Sequence, residues 1–230
     1  HYAMGGIPTD VHSRVLSDEK GTVLPGVYAA GEAACVSVHG ANRLGTNSLL
    51  DIVVFGKRAG QSMVDYVTQT KPNTISDSAS DDLSKKIQNL IDKEHTDEFS
   101  VANIRKDLQE SMEENAKIFR TKETLEKQTE ILEELRERYE NVTIFDKSKV
   151  HNSELVEAIE LDYLLDMSEA TVASALARNE SRGAHSRQDF PDRDDTNFMK
   201  HSFAFKKDNS ANLKYKDVEL GKYEPMERKY

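Results

Sequence analysis

The feature that most constrains this fold is a long stretch without glycine or proline. Residues 82–182 contain neither residue type, whereas nine of the chain's 11 glycines lie within residues 1–67. Glycine and proline are the residues that most often interrupt regular backbone, so their absence over such a length favours long helices. We therefore predict a helical bundle over residues 82–182.

Apolar side chains recur within that stretch at helical spacing and predict the buried faces of the helices. Short polar joints are predicted near residues 96–100 and 146–153. The abundant Glu and Lys between the apolar positions are interpreted as solvated helix faces. The predicted stripes are Leu83, Ile87, Leu90 and Ile91; Val101, Ile104, Leu108 and Met112; Leu125, Leu132, Leu135 and Tyr139; and Leu155, Ile159 and Leu164, of which Leu90, Leu108, Leu132 and Ile159 are expected to be buried.

Three further segments flank the bundle. Residues 1–67 combine glycines with short apolar runs, which predicts strands and turns followed by one helix. Residues 68–81 are polar and aperiodic, which predicts a linker. In the tail, residues 183–230, two alternating runs near 203–205 and 213–216 can pair as a small antiparallel ribbon. The predicted fold is thus an α/β portion, an all-α helical bundle and a small C-terminal tail region.

Charge and cysteine content exclude several classes of protein. The formal net charge is −10, which argues against a nucleic-acid partner because phosphate binding needs a basic surface. Cys35 is the sole cysteine, so no internal disulfide or cysteine metal cluster can form. The seven histidines lack ligand spacing, and no metal site is predicted.

A short apolar run at residues 27–30 ends in Gly31 and Glu32. We interpret the run as a buried strand, and ligands of open α/β sheets bind beyond the carboxyl ends of strands. Gly31 would let a cofactor approach the backbone, and the Glu32 carboxylate could accept a hydrogen bond from a sugar-like hydroxyl. The alternative is a strand end whose Glu faces solvent.

Residues 39–51, HGANRLGTNSLLD, form a glycine-rich loop that leads into a helix. Asn47 or Ser48 is expected to cap that helix, whose free N–H groups would face a negatively charged ligand. Arg43 lies between two glycines and is a candidate carboxylate clamp. The alternative is an ordinary capped helix with a surface arginine.

His1 precedes a Gly5-Gly6 turn and could donate to a substrate carboxylate, although a terminal histidine can also be frayed. The chain contains no G-x-G-x-x-G motif, so a complete dinucleotide site is not expected in it. It also lacks the G-x-S-x-G motif of many hydrolases.

Three segments in series, HYAMGGIPTD, PGVYAAGEAACVSVHGANRLGTNSLLD and ALARNESRGAHSRQDFPDRDD, resemble the succinate dehydrogenase and fumarate reductase flavoprotein family. The resemblance implies that residues 1–67 are the C-terminal portion of an FAD-binding domain. It implies that His1 and Arg43 bind substrate carboxylates, that Glu32 binds FAD, and that the backbone of Ser48 and Leu49 meets the isoalloxazine. We expect Glu32, Arg43, Ser48 and Leu49 to surround one open cavity.

The same resemblance implies an activity and partners. Members of this family oxidise succinate to fumarate by hydride transfer to FAD, and electrons pass through an iron–sulfur subunit to quinone beside membrane anchor subunits. The implied location is peripheral, on the cytoplasmic face of a bacterial inner membrane or on the mitochondrial matrix face. The proton-transfer arginine is expected outside this chain, so no catalytic residue is assigned. We expect the chain to be incomplete and inactive by itself.

Other readings remain open at this point. Fumarate reductase belongs to the same family, and L-aspartate oxidase has similar motifs. Asp51 and the extended tail favour the dehydrogenase over the oxidase. A non-catalytic helical interaction module with a decayed FAD segment is a further alternative, against which the intact spacing of Glu32, Arg43 and Ser48 argues.

Overall fold

The computed structural model describes residues 2–71, 74–207, 210–222 and 225–226. His1 lies outside the described residues. The N-terminal part consists of short strands followed by a long helix. Its elements are β1 (Ile7–Pro8), β2 (Arg14–Leu16), β3 (Val23–Tyr28), β4 (Ala34–Cys35) and α1 (Asn47–Gln69).

The strands form two small sheets, since β1 pairs with β4 in parallel and β2 pairs with β3 as an antiparallel hairpin. The prediction of a buried strand over residues 27–30 is wrong. Strand β3 ends at Tyr28, and Val27 is 43% exposed. The apolar run suggested burial, but β3 pairs only with β2, and its contacts with α1, such as the bond from the Tyr28 hydroxyl to the Ser62 carbonyl, leave most of the strand exposed.

Helix α1 carries a large exposed apolar surface. It extends to Gln69, two residues into the segment predicted as a linker. Only Asp51, Phe55 and Ala59 of this helix are buried. No helix within the described ranges is long and apolar enough to cross a membrane. The exposed apolar residues of α1 are Leu49, Leu50, Ile52, Val53, Val54, Met63, Val64 and Val67.

Four helices follow, and side-chain caps mark where three of them begin. The side chains of Ser100, Thr121 and Asn152 each accept a backbone N–H from the first turn. The joint between the third and fourth helices of the chain, residues 117–121, is absent from the sequence prediction because Ile118 and Phe119 interrupt its polar character. The helices are α2 (Asp81–Asp92), α3 (Val101–Ala116), α4 (Lys122–Glu140) and α5 (Ser153–Ala177).

The main hydrophobic core lies among α3, α4 and α5. Burial of Leu90, Leu108 and Leu132 is confirmed, whereas Ile159 is only partly buried. Leu83 and Leu164 are exposed, so the predicted stripes are wrong at these two positions, whereas Leu155 and Ile159 pack against the core. Apolar residues surround most of α5, and periodicity alone therefore did not identify the buried face. The side chains of α5 that are buried are Ala158, Leu161, Leu165, Val172 and Ala175.

The tail packs a ribbon against α5. A short helix, α6 (Asp195–Phe198), precedes β5 (Lys200–Lys207) and β6 (Ser210–Asp217). These strands are antiparallel, with Phe203 opposite Lys214. The alternating runs of the sequence therefore pair with each other.

A buried arginine crosslinks α4 to α5. The Arg136 guanidinium lies 2.6 Å from Asp162, 2.6 Å from Asp166 and 2.8 Å from Glu169. These acidic residues share one face of α5, so the expectation that the charges of the bundle are only solvated faces is wrong there. Burial opposes the ionisation of Asp162, but Lys86 and Arg136 outweigh it and hold the pKa of that carboxyl below its usual value.

We predict that Arg136→Ala lowers the free energy of unfolding by on the order of 3 kcal/mol, because it leaves three crowded carboxylates without their shared cation. The matched control is Arg138→Ala on the same helix. Its single, more exposed partner, Asp107, is 2.7 Å away, and the expected loss is about 1 kcal/mol or less. Urea unfolding of the three proteins measures both values.

The difference between the wild type and Arg136→Ala should shrink with acidification. Because the folded-state pKa of Asp162 is depressed, its contribution to stability is present above its ordinary value of 3.8 and is lost as the pH falls through the folded-state value. Equal losses for Arg136→Ala and Arg138→Ala at neutral pH would contradict the role of the cluster.

Candidate functional site

Most of the predicted site residues lie on or beside residues 39–46, the Arg43 loop, which leads into α1. Its central side chain is held against an aromatic ring, since the Arg43 guanidinium carbon lies 4.7 Å from the centroid of Tyr2. Such stacking is favourable for a planar guanidinium.

Arg43 has unused hydrogen-bonding capacity. Its Nη1 donates only to the Leu44 carbonyl, at 3.4 Å, and its buried Nε has no partner among the described residues. Most arginines of the bundle and tail, by contrast, are paired with carboxylates, as Arg136 is. Arg43 is therefore positioned but free to grip an anion with two parallel hydrogen bonds.

A buried polar cluster holds the Tyr2 ring in turn. His39 Nε2 lies 3.0 Å from Asp51 Oδ2 and 3.3 Å from the Tyr2 hydroxyl, which also donates to Asp51 Oδ2 at 3.4 Å. Asp51 is only 4% exposed. Burial and then the Asp51 charge raise the pKa of Tyr2, which therefore remains a neutral phenol.

Glu32 contacts the same N-terminal segment as Arg43. Its Oε1 accepts the backbone N–H of Ala3 at 2.7 Å, and the residue is exposed. Glu32 and Arg43 therefore contact two consecutive residues, Ala3 and Tyr2.

The structure gives a second reason for glycine at position 31. It has a left-handed φ of 78°, and a Cβ built there would lie 3.2 Å from Ile52 Cγ1. In the described structure this glycine therefore lets its loop pass close to α1, and no approach to a cofactor is needed to explain it.

Neither Asn47 nor Ser48 caps α1, contrary to expectation. Thr46 occupies the cap position with a φ of 69° and makes no side-chain cap. The Leu49 N–H donates to the Thr46 carbonyl at 3.1 Å, whereas the Ser48 N–H has no acceptor in the described residues. The N-terminus of α1 thus keeps a free donor for a negatively charged group.

The expectation that Glu32, Arg43, Ser48 and Leu49 surround one open cavity stays a prediction. A pocket of about 20 Å³ beside the loop is bounded by Tyr2, Met4, Cys35, His39 and Asp51, together with neighbouring backbone. Glu32, Arg43, Ser48 and Leu49 are not among its walls. Leu49 instead projects outward and is 67% exposed.

Sequence reasoning missed the supporting residues. Tyr2, His39 and Asp51 are separated along the chain, so no periodic pattern connects them. The usable signal was Asp51, an acidic residue buried among apolar residues at the start of a helix. Within the described ranges, no group of three or more His, Cys, Asp or Glu side chains could hold a metal ion.

Comparison with protein families gives two matches, separated by residues 50–104. The profile of "Fumarate reductase flavoprotein C-term" matches residues 105–230, and that of "FAD binding domain" matches residues 1–49. The succinate dehydrogenase flavoprotein subunit of Rickettsia bellii is 46% identical over 209 residues, which are 89% of this chain and 35% of that protein. The mitochondrial succinate dehydrogenase flavoprotein subunit of Oryza sativa is 44% identical over 96% of this chain and 35% of its own length. The chain thus spans about a third of the length of these relatives.

Solved structures agree with these matches. A chain of E. coli quinol fumarate reductase superposes with a TM-score of 0.88 at 36% identity, covering 99% of this chain and 38% of that one. A chain of the Mycobacterium smegmatis Sdh1 complex gives a TM-score of 0.82 at 31% identity, covering 96% of this chain and 36% of that one.

We predict that Asp51→Ala destabilises the chain by about 1–3 kcal/mol, because His39 and the Tyr2 hydroxyl lose a common acceptor inside the protein. Asp51→Asn, which keeps an acceptor oxygen, should cost less. Asp65→Ala supplies a control on the exposed side of α1 and should change stability by less than about 0.5 kcal/mol. Urea unfolding measures all three, and an Asp51→Ala value no larger than that of Asp65→Ala would contradict the cluster's role.

Proposed function

The chain belongs to the flavoprotein family of succinate dehydrogenase and fumarate reductase, and we propose that it forms the C-terminal part of a subunit that oxidises succinate to fumarate. The proposal rests on the contacts that the Arg43 side chain makes and on those that it leaves unmade. Its guanidinium is stacked on Tyr2, yet its donors are almost unused. A dicarboxylate substrate requires such a donor fork.

The negative net charge of the chain means that a dicarboxylate must be bound by a local cation such as Arg43. A net charge of −10 gives succinate no general attraction, so binding must depend on local cations. Arg43 offers two parallel N–H groups to one carboxylate and would fix the carbon chain in one orientation. His1, outside the described residues, is proposed to hold the second carboxylate. The acceptor of the substrate proton is expected in another part of the subunit.

The described residues fit FAD as a partner. Glu32 keeps one carboxylate oxygen that could accept from a hydroxyl, and the free Ser48 N–H lies at the positive end of α1. Leu49 is proposed to contact the flavin through its exposed side chain rather than through its occupied N–H. FAD, when bound, supplies the acceptor for the hydride from succinate.

We propose that residues 1–67 complete an FAD-binding domain, residues 68–81 link it to a helical domain over residues 82–182, and residues 183–230 form the tail. The apolar residues exposed on α1 support this, because an exposed surface of that kind usually meets another part of a protein. The 230-residue chain by itself is expected to bind FAD weakly and to oxidise no succinate.

The proposed partners are an iron–sulfur subunit, which takes electrons onward to quinone, and membrane anchor subunits. The subunit would then be peripheral, on the cytoplasmic face of a bacterial inner membrane or on the matrix face in mitochondria. Relatives named as succinate dehydrogenase support oxidation as the main direction, while the match to quinol fumarate reductase supports the reverse reaction as an alternative.

We predict that Arg43→Lys lowers kcat/KM for succinate about a hundredfold in the full-length subunit within its complex. Lysine keeps the charge but loses both the fork and the stacked plane, so the substrate is misplaced as well as weakly bound. Arg43→Ala should lower kcat/KM at least as much. Steady-state rates in both directions and flavin absorbance give the result.

Arg58→Lys is the matched control, because Arg58 also has no carboxylate partner among the described residues but donates to the Val11 carbonyl at 3.1 Å, outside the proposed site. Normal flavin content with near-wild-type kcat/KM in both Arg43 variants would show that Arg43 does not bind substrate.

A further inference from the structure

A turn in the tail reaches the Arg43 loop from the opposite end of the chain. Residues 182–185, which we call the strap, close a two-residue turn through reciprocal backbone bonds between Arg182 and His185, of 2.8 and 3.0 Å. Gly183 occupies its first central position with a φ of 59°. A left-handed conformation at that position is one that glycine adopts without strain.

The strap touches the loop through backbone alone. The Ala184 N–H donates to the Ala41 carbonyl at 2.9 Å. A Cβ built on Gly183 would overlap that carbonyl oxygen and lie 2.6 Å from the Ala41 carbonyl carbon. Backbone atoms cannot yield as a flexible side chain can, so any residue other than glycine would push the loop away.

Side chains on both flanks fix the strap to the helical part of the chain. Arg182 binds Glu180 through Nε and Nη2, both at 2.9 Å. His185 Nε2 donates to the Arg178 carbonyl and Nδ1 accepts from Arg120, each at 3.2 Å. Burial lowers the pKa of His185, and the nearby Arg120 charge adds to that effect, which keeps the imidazole in this neutral pairing.

The position of Ala41 bears on the position of Arg43, two residues further along the loop. Tyr2 supports the Arg43 side chain, but the loop backbone between Gly40 and Gly45 needs a separate support. Among the described residues, the strap supplies a backbone hydrogen bond to this loop from outside the N-terminal segment.

We propose that the strap is a positioning element for the substrate: it sets the backbone of the Arg43 loop so that the guanidinium meets a carboxylate of the bound dicarboxylate. This rests on the proposed function, since it assumes that Arg43 binds substrate. The strap touches no substrate and is not a catalytic element.

The test is Gly183→Ala in the full-length subunit within its complex. Succinate kinetics are measured together with binding of malonate, a dicarboxylate whose single methylene leaves no CH₂–CH₂ bond to desaturate, through its perturbation of the flavin absorbance. We expect the malonate dissociation constant and the KM for succinate to rise at least about tenfold, with normal flavin content. Gly21→Ala is the matched control, because Gly21 also has a positive φ, of 89°, but faces open space. The Gly21→Ala variant should be strained at its backbone but should bind malonate as the wild type does.

Arg43→Ala separates the possible failures. If Arg43→Ala weakens malonate binding and Gly183→Ala does not, the strap proposal is overturned and the proposed function stands. If Arg43→Ala leaves malonate binding unchanged, both fail.

Hydrogen exchange in the wild-type complex decides the matter if Gly183→Ala does not fold. Malonate should slow exchange of the Ala184 amide together with that of the Arg43 loop, since the amide is bonded to the loop. Protection of the loop without protection of Ala184 would overturn the proposal.

Discussion

One buried carboxylate organises the C-terminal half of the structure. Glu180 is fully buried and binds Arg178 at 2.6 Å, Arg182 at 2.9 Å and the Asp194 N–H at 2.8 Å. Burial by itself would raise the pKa of Glu180, but the hydrogen bonds from Arg182 and Arg178 outweigh it and hold that pKa below its usual value. Arg178 also binds the Lys200 carbonyl at 2.6 Å, so one carboxylate joins the end of α5, the ribbon and the strap.

The two halves of the chain differ in how much of their apolar and charged surface is buried or paired within the same half. The helical part has a core and internal ion pairs, and its charged face around Arg136 is satisfied within the described residues. The N-terminal part has two-stranded sheets and a helix whose apolar surface is uncovered. The Arg43 loop at the start of α1 is contacted by Tyr2 from within the N-terminal part and by Ala184 from the tail.

The sequence predicted features that depend on local composition. Freedom from glycine and proline identified the helical stretch, and two-residue alternation identified the ribbon. Features that depend on tertiary partners escaped it. The buried face of α5 was ambiguous because apolar residues surround that helix, and the run before Gly31 suggested burial that β3 does not have. The glycine-rich loop was enough to identify Arg43 as a candidate ligand-binding residue. The contacts of Arg43 with the Tyr2 ring, and of that ring with Asp51, could not be predicted, because contacts between residues far apart in the chain produce no periodic sequence pattern. The roles of His1, Glu32, Ser48 and Leu49 remain predictions.

The contact between Ala41 and Ala184 also orders events during synthesis. The Arg43 loop leaves the ribosome before its partner amide, which follows only after the whole helical stretch has been translated, a delay on the order of ten seconds at usual elongation rates. Until then the Ala41 carbonyl lacks its distal N–H donor, whatever the N-terminal segment has already folded into. The proposed substrate clamp is thus among the last parts of the nascent chain to reach its final geometry, and a ribosome that stalls within the bundle would release a polypeptide with the arginine present but its loop unsupported.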